Sequence, residues 1–398
     1  MTTVLTLAAG AVAMAAAYLL ALSAAALRAP PVPPPAGGSR RFAILIPAHN
    51  EVTVIGRVLA SVGRQQYAAD RFETFVVADA CSDGTAEVAQ AAGAIVHVRH
   101  DETRRGKGHA VEWLLERVRE HGEHDAYVVL DADSIVDADM LARFDARLAA
   151  GSLVIQARYG VLNADASPIA ALRAAALASL HYLRPLGRAA LGLSVGLKGN
   201  GMCFAARVLE AHGWTSHGLA EDVELHLSLV ASGTRVDFAP EIQVRADMPV
   251  TLRAARTQNL RWERGRLATV RRLVVPLIAR GIARRDVRMV DAGIEQLVPP
   301  LSAAVGVSLA LACASAVAGA TTALVLATLA ASGFVVHVLA GLVATRAPLR
   351  AYGALALAPG YVAWKLALYG RALITPATQP WVRTPRALQS GAEVLDER

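Results

Sequence analysis

The chain has 398 residues, enough for one large α/β domain with membrane segments or for two ordinary domains. Hydrophobic residues make up 54% of it and are unevenly spread, which argues against a wholly soluble protein. The net charge of +7 is carried by arginine rather than lysine and suits an anionic membrane surface or phosphorylated substrates. No basic-plus-aromatic pattern supports nucleic acid as a partner. The three cysteines, Cys81, Cys203 and Cys313, form neither a disulfide framework nor a metal-binding spacing, so a reduced cytosolic face is expected.

Residues 4–27 are apolar without a charge, long enough to cross a bilayer at about 20 residues per span. A signal peptide would want a basic start and a shorter apolar core, so an uncleaved anchor is expected. Arg28, Arg40 and Arg41 follow it and place its C-terminal side in the cytoplasm. The proline- and glycine-rich stretch 30–38 reads as a linker.

From Arg41 onward, strand and helix signals alternate. Short apolar runs at 42–46, 75–77, 95–98 and 128–130 predict strands, the first and the last of them buried. Ile55, Val58, Leu59 and Val62 stripe one helix, Val111, Leu114, Leu115 and Val118 another, and Leu141, Phe144 and Leu148 a third. Such alternation predicts an α/β fold with a doubly wound, mostly parallel sheet and ligands beyond the strands' carboxyl ends. Polar residues stand at those ends: Asn50 and Glu51 after the first strand, Asp79 after the second, Asp131 and Asp133 after the fourth.

The pattern loosens after Tyr159. Residues 170–193 mix Ala and Leu with Arg173, Arg184 and Arg188, and 251–288 repeat that character more strongly, which predicts amphipathic helices lying on a membrane. No Asp, Glu, Lys or Arg occurs from 296 to 345, room for two spans with a break near 318–322. Residues 355–368 suit either a third span or, given Lys365, a re-entrant or interfacial helix.

Two carboxylates at a strand end, Asp131 and Asp133, can hold a hard divalent cation against a ligand's phosphates, although Asp-x-Asp also suits a solvated turn. With a nucleotide diphosphate donor, that arrangement would neutralise charge on the leaving group. Asp79 can accept hydrogen bonds from a base or ribose, or cap the helix that follows. Glu221 and Asp222 open a helix, where acidic residues are ordinary, but one of them could serve as a general base toward an acceptor hydroxyl. Gly199, Asn200 and Gly201 offer a close backbone approach suited to a substrate-facing loop, or a plain turn. Lys107 could approach phosphate, without the spacing of a P-loop.

The segments A-I-L-I-P-A-H-N-E, V-V-A-D-A-C-S-D-G-T, G-K-G-H-A, V-V-L-D-A-D-S, K-G-N-G-M-C-F, A-E-D-V-E-L and Q-N-L-R-W-E-R-G-R occur in that order. Together, over residues 41–275, they resemble the membrane-bound family 2 glycosyltransferases, which include cellulose, chitin, hyaluronan and poly-N-acetylglucosamine synthases and ceramide glucosyltransferases. The resemblance implies a GT-A fold and an inverting hexosyltransferase that uses Mg²⁺ or Mn²⁺. It implies donor contacts from Pro47, Asn50, Glu51, Asp79 and Lys107, with Asp79 on uracil, and a metal on Asp131 and Asp133. Asp222 resembles the catalytic base, with Glu221 beside it. Gly199, Asn200 and Gly201 correspond to the acceptor loop. Gln258, Arg261 and Trp262 match the Gln-x-x-Arg-Trp signature that holds the diphosphate and the acceptor end. Ala220 stands where the family often has Thr, and the Gly-Asn-Gly loop departs from the cellulose synthase pattern.

The expected organisation is an anchor at 1–28, a linker at 29–40, a GT-A domain at 41–250 and basic interfacial helices at 251–292. Two or three transmembrane or re-entrant helices at 293–375 and a cytoplasmic tail at 376–398 complete it. The expected partners are a nucleotide sugar, first of all a UDP-sugar, a polysaccharide or lipid acceptor and membrane lipids, with an oligomer or secretion partner left open. The expected location is the cell membrane, multi-pass, with the catalytic domain in the cytoplasm. A lipid glycosyltransferase of the ceramide type is the alternative. An inactive tethered binding subunit and a sugar nucleotidyltransferase are the other classes, and released products separate all of them.

Overall fold

The computed structural model describes residues 1–374, apart from the side chains of residues 257, 261 and 372–374. Eight strands build one sheet: β1 (Phe42–Ala48), β2 (Phe72–Asp79), β3 (Ile95–Arg99), β4 (Ala126–Val129), β5 (Ser134–Val136), β6 (Val154–Val161), β7 (Met202–Ala205) and β8 (Val236–Ala246). Their order is β3-β2-β1-β4-β7-β6-β8-β5. The strands β3, β2, β1 and β4 run parallel, as do β6 and β8, whereas β7 and β5 are antiparallel to their neighbours.

Along β1, Ala43 and Leu45 join the core of one sheet face, with Val111, Leu114 and Val118 of the Lys107–His121 helix. Phe42, Ile44 and Ile46 join the opposite core, with Ile55 and Val58 of the Ile55–Val62 helix and Phe144 of the Met140–Ala149 helix. Side chains alternate faces along a strand, so a strand covered on both sides reads as a continuous apolar run. Each large side chain buried in this way contributes about 1.5–3 kcal/mol.

The antiparallel β7 is what builds the site. Val129 pairs with Met202, so the residues entering β7, Lys198 to Gly201, lie beside those leaving β4, Asp131 to Asp133. After Asp133 the chain crosses to β5 on the far edge, where Ser134 pairs with Ala246.

Two helices, Thr2–Arg28 and Thr321–Ala344, are long and apolar enough to cross a membrane. The Val287–Leu297 and Leu301–Val317 helices, bent by 66°, add a third candidate if they form one broken span. The break expected near 318–322 is a turn in which Gly319 takes φ +63°. Small residues let these helices approach: a Cβ on Gly333 would lie 3.2 Å from Ala16, and one on Gly187 only 2.1 Å from the Leu22 carbonyl oxygen.

The stretch 170–193 differs from its expected surface role. It forms the Pro168–Leu177 helix, a π turn at Ala178–Leu183 and the Arg184–Ala190 helix. Arg173, Arg184 and Arg188 are all buried. The Arg188 guanidinium pairs with Asp291 and Glu295, and Tyr18 Oη donates to Asp291 at 2.8 Å, so a charge that local periodicity assigns outward turns inward. Farther along, Arg271, Arg272, Arg280, Arg284 and Arg285 are exposed beside exposed Val275 and Ile282. In the Ala358–Ile374 helix, Lys365 turns inward to Asn259 at 2.7 Å and Glu263 at 3.2 Å. The tail expected at 376–398 lies outside the described residues.

Candidate active site

One cavity of about 1760 Å³ opens at the carboxyl ends of β1, β2 and β4. Pro47, Asn50, Glu51, Asp79, Lys107, Asp131, Asp133, Gly199, Glu221, Asp222, Gln258 and Trp262 all border it. Asn200 and Gly201 stand behind the wall instead of facing the cavity. Asn200 is fully buried, and its Oδ1 accepts from the Asp131 N–H at 3.1 Å and from Ser134 Oγ at 3.2 Å, so it fixes the turn that carries the carboxylates. Gly201 has φ +68°, and a Cβ there would meet Val244 at 2.8 Å, which only glycine avoids. The side chain of Arg261 lies outside the described residues.

At the nucleotide side, Asp79 ends β2 and its Oδ1 accepts from Arg99 at 2.5 Å. His49 Nδ1 meets the Asp79 carbonyl at 2.7 Å. The next residue, Ala80, has φ +50°, a conformation that costs a non-glycine residue about 1–2 kcal/mol, and such outliers cluster at functional sites. Asn50, at φ +54°, receives the Ser82 N–H at 2.8 Å and ties the two strand-end loops together.

At the centre, Lys107 Nζ donates both to Asp131 and to the Gly199 carbonyl. Burial works against its charge, but Asp131 and Glu221 outweigh that, and its pKa is raised. Gly199, at φ +75°, lies between Asp222 Oδ2 and Lys107 Nζ, which stand 3.5 and 3.6 Å from where its Cβ would be. The helix Glu221–Ala231 starts at the two carboxylates, and Asp222 Oδ1 accepts from the Val223 N–H at 2.9 Å. Burial raises the pKa of both carboxyls, and for Glu221 the charge of Asp222 adds to it. Tyr159 is likewise pushed well up by burial and then by Asp133 and Asp131. Burial is the largest cause of each of these rises, and at Asp222 the charges of Lys107 and Lys198 oppose it.

At the membrane side, Gln258 Oε1 accepts from Arg173 at 2.6 Å, and the Arg173 guanidinium lies 5.7 Å from the Trp262 ring centre. From there the cavity continues between helices, bordered by Leu177, Leu309, Val335 and Leu366.

Two residues bordering the cavity, Lys198 and Glu295, carry no role assigned from the motifs. Lys198 borders the cavity, and burial lowers its pKa to about 8 against the pull of Asp222. Glu295 approaches it across Gly196, whose Cβ position is 3.0 Å from Lys198 Nζ and 3.4 Å from Glu295 Oε2. One signal was available in the sequence. The chain has only three lysines, Lys107, Lys198 and Lys365, and all three border this cavity.

A family model described as glycosyltransferase like family 2 matches residues 39–265, more than half of the chain. The chain belongs to this glycosyltransferase family. A glucomannan 4-beta-mannosyltransferase of Oryza sativa subsp. japonica is 24% identical over 246 residues, 59% of this chain and 47% of that protein. A beta-monoglucosyldiacylglycerol synthase of Synechocystis is 26% identical over 226 residues, 56% of this chain and 47% of that protein. The matched part thus spans about half the length of these family members. Among solved structures, the mannosyltransferase PcManGT from Pyrobaculum calidifontis, in complex with GDP-Man and Mn²⁺, is 18% identical with a TM-score of 0.55. That similarity covers 86% of this chain and 98% of that one, and shows a shared GT-A fold.

Proposed function

We propose that this protein is an inverting glycosyltransferase that moves a sugar from a nucleoside diphosphate to a hydroxyl of a membrane lipid. The observation that supports it most is the single cavity joining the Asp79, Asp131 and Asp222 side to an apolar passage between helices. A soluble acceptor would not need such a passage. An amphipathic one would lay its chains along Leu177, Leu309 and Leu366 and present its hydroxyl near Asp222. Extension of a polysaccharide is the competing outcome.

On the donor side, the Asp79 carboxylate can accept an N–H from uracil or from guanine, so UDP- and GDP-sugars are both candidates. Lys107 meets the diphosphate, and Asn200 holds the Asp131 backbone in place beneath it. Asp131 and Asp133 fit a divalent metal: both are hard oxygen donors that border the cavity, and a diphosphate bound there would add further negative charge. When bound there, Mg²⁺ or Mn²⁺ would offset the charge that builds on the leaving diphosphate. Asp222 takes the proton from the acceptor hydroxyl. The oxygen attacks the anomeric carbon on the face opposite the leaving group, so the configuration inverts. Glu221 lies beside it, and burial and the charge of Asp222 raise its own proton affinity. The protein is proposed to lie in the cell membrane with several spans and its catalytic domain in the cytoplasm, following Arg28, Arg40 and Arg41 after the first helix.

The test uses purified protein in lipid vesicles with a panel of UDP- and GDP-sugars, Mg²⁺ or Mn²⁺, and lipid extracts. Release of nucleoside diphosphate together with a new glycolipid is expected. Release of pyrophosphate instead would refute the transfer, and a lengthening polymer would refute the lipid acceptor. Turnover that survives complete chelation would refute the role of Asp131 and Asp133.

A further inference from the structure

A second group of ligand-type side chains lies beside the donor cavity and is used by no step above. His109 and Glu112, three residues apart on the Lys107–His121 helix, share one face of it. His217 reaches them from the loop that leads into Glu221 and Asp222. One ligand atom from each of the three lies within 4.8 Å of the others. His217 Nε2 and Glu112 Oε2 are 2.8 Å apart, and the His109 and His217 rings stack with centres 4.1 Å apart.

Further observations suit a cation. His109 Nδ1 is buried without a hydrogen-bond partner. Arg99 and Arg104 line a small recess of about 30 Å³ beside His109 and Glu112, but their charges are already engaged by Asp79 and Asp101. The loop is also pressed against the helix: a Cβ on Gly108 would lie 2.3 Å from the Ser216 carbonyl oxygen.

We propose that His109, Glu112 and His217 form a second metal site, for Zn²⁺, that clasps the loop before Glu221 and Asp222 to the helix of Lys107. Two imidazoles and one carboxylate leave a fourth position for water, and nitrogen ligands favour Zn²⁺ over the Mg²⁺ or Mn²⁺ suited to Asp131 and Asp133. Ligand distances of about 2.0–2.2 Å require one imidazole to turn out of the stack. His109 lies two residues after Lys107 and His217 five before Asp222, so the ion would set the spacing between the donor-side cation and the base.

The probe is Co²⁺, which reports a Zn²⁺ site by its visible absorption. Full-length protein carrying Asp131→Asn and Asp133→Asn, in detergent and stripped by chelator, is titrated with Co²⁺. One equivalent should bind with an intense band typical of four-coordinate nitrogen and oxygen ligation, and one equivalent of Zn²⁺ should abolish it. Affinity should fall at least about tenfold in His217→Gln and in Glu112→Gln. Apo thermal stability is measured in each variant, and Glu112→Gln, the closest in shape, decides if His217→Gln unfolds. Absence of a saturable band, or a band of undiminished affinity in Glu112→Gln, would overturn the site. Donor turnover plays no part in this readout, so its outcome is separate from that of the proposed transfer.

Discussion

Arg188 is predicted to be a keystone between the first membrane helix and the catalytic domain. Its side chain is 1% exposed, and its guanidinium pairs with both Asp291 and Glu295, whose side chains are 9% and 10% exposed. Asp291 also receives the Tyr18 hydroxyl, and Gly187, next to Arg188, packs on the Leu22 backbone. Arg188→Met fills much of the same volume but leaves two buried carboxylates without their cation. Breaking a buried pair in that way costs about 3–5 kcal/mol, and two stranded charges place this case at the upper end. Adding Asp291→Asn and Glu295→Gln removes the stranded charges, and such neutral replacements are often harmless, so most of the loss should return. Unfolding in detergent micelles, followed by denaturant titration of tryptophan fluorescence, measures both. A single variant within about 1 kcal/mol of the parent, or a triple variant no better than the single, would refute the reasoning.

Three more perturbations test separate parts. The base acts unprotonated, and burial raises the proton affinity of Asp222 and Glu221, so the rate should climb with pH through a limb above the usual carboxylate range of about 4. Glu221→Gln removes a neighbouring negative charge and should move that limb toward acid, read from kcat/KM against pH; an unmoved limb would contradict a charge interaction between the two carboxyls. Lys107→Met removes charged hydrogen bonds to Asp131 and the Gly199 carbonyl, each worth about 1.5–3 kcal/mol, and should lower donor kcat/KM by about 10- to 100-fold. Gly187→Ala should cost about 1–3 kcal/mol by overpacking against Leu22. Gly360→Ala, with nothing within 4 Å of the new atom, should cost nothing in the same unfolding titration.

Much of the sheet could be read from the sequence because β1, β4 and the second half of β2 are buried and therefore apolar in short runs, whereas the edge strand β3, with Val98 exposed and only Arg99 buried, was legible from its β-branched residues. The remaining strands were harder. The residues of β7 belong to K-G-N-G-M-C-F, which reads as a loop motif, and its antiparallel insertion depends on pairing with β4 far away in sequence. The site carboxylates were legible as strand ends, since an α/β sheet gathers its ligands there. The roles of Asn200 and Gly201 were not, because what faces inward at a tight turn is decided by neighbours such as Ser134 and Val244. Arg173, Arg184 and Arg188 looked like a surface stripe. The partners that draw Arg188 inward, Asp291 and Glu295, lie about a hundred residues away, beyond the reach of any local period.

The central claim is that Asp222 removes the acceptor proton. The direct measurement is single-turnover transfer by Asp222→Asn, with donor affinity determined on the same preparation. The account predicts a rate lowered by about 10²–10⁴-fold with donor affinity nearly unchanged, since a positioned general base contributes that much. Transfer at the parent rate with equal donor affinity would contradict it.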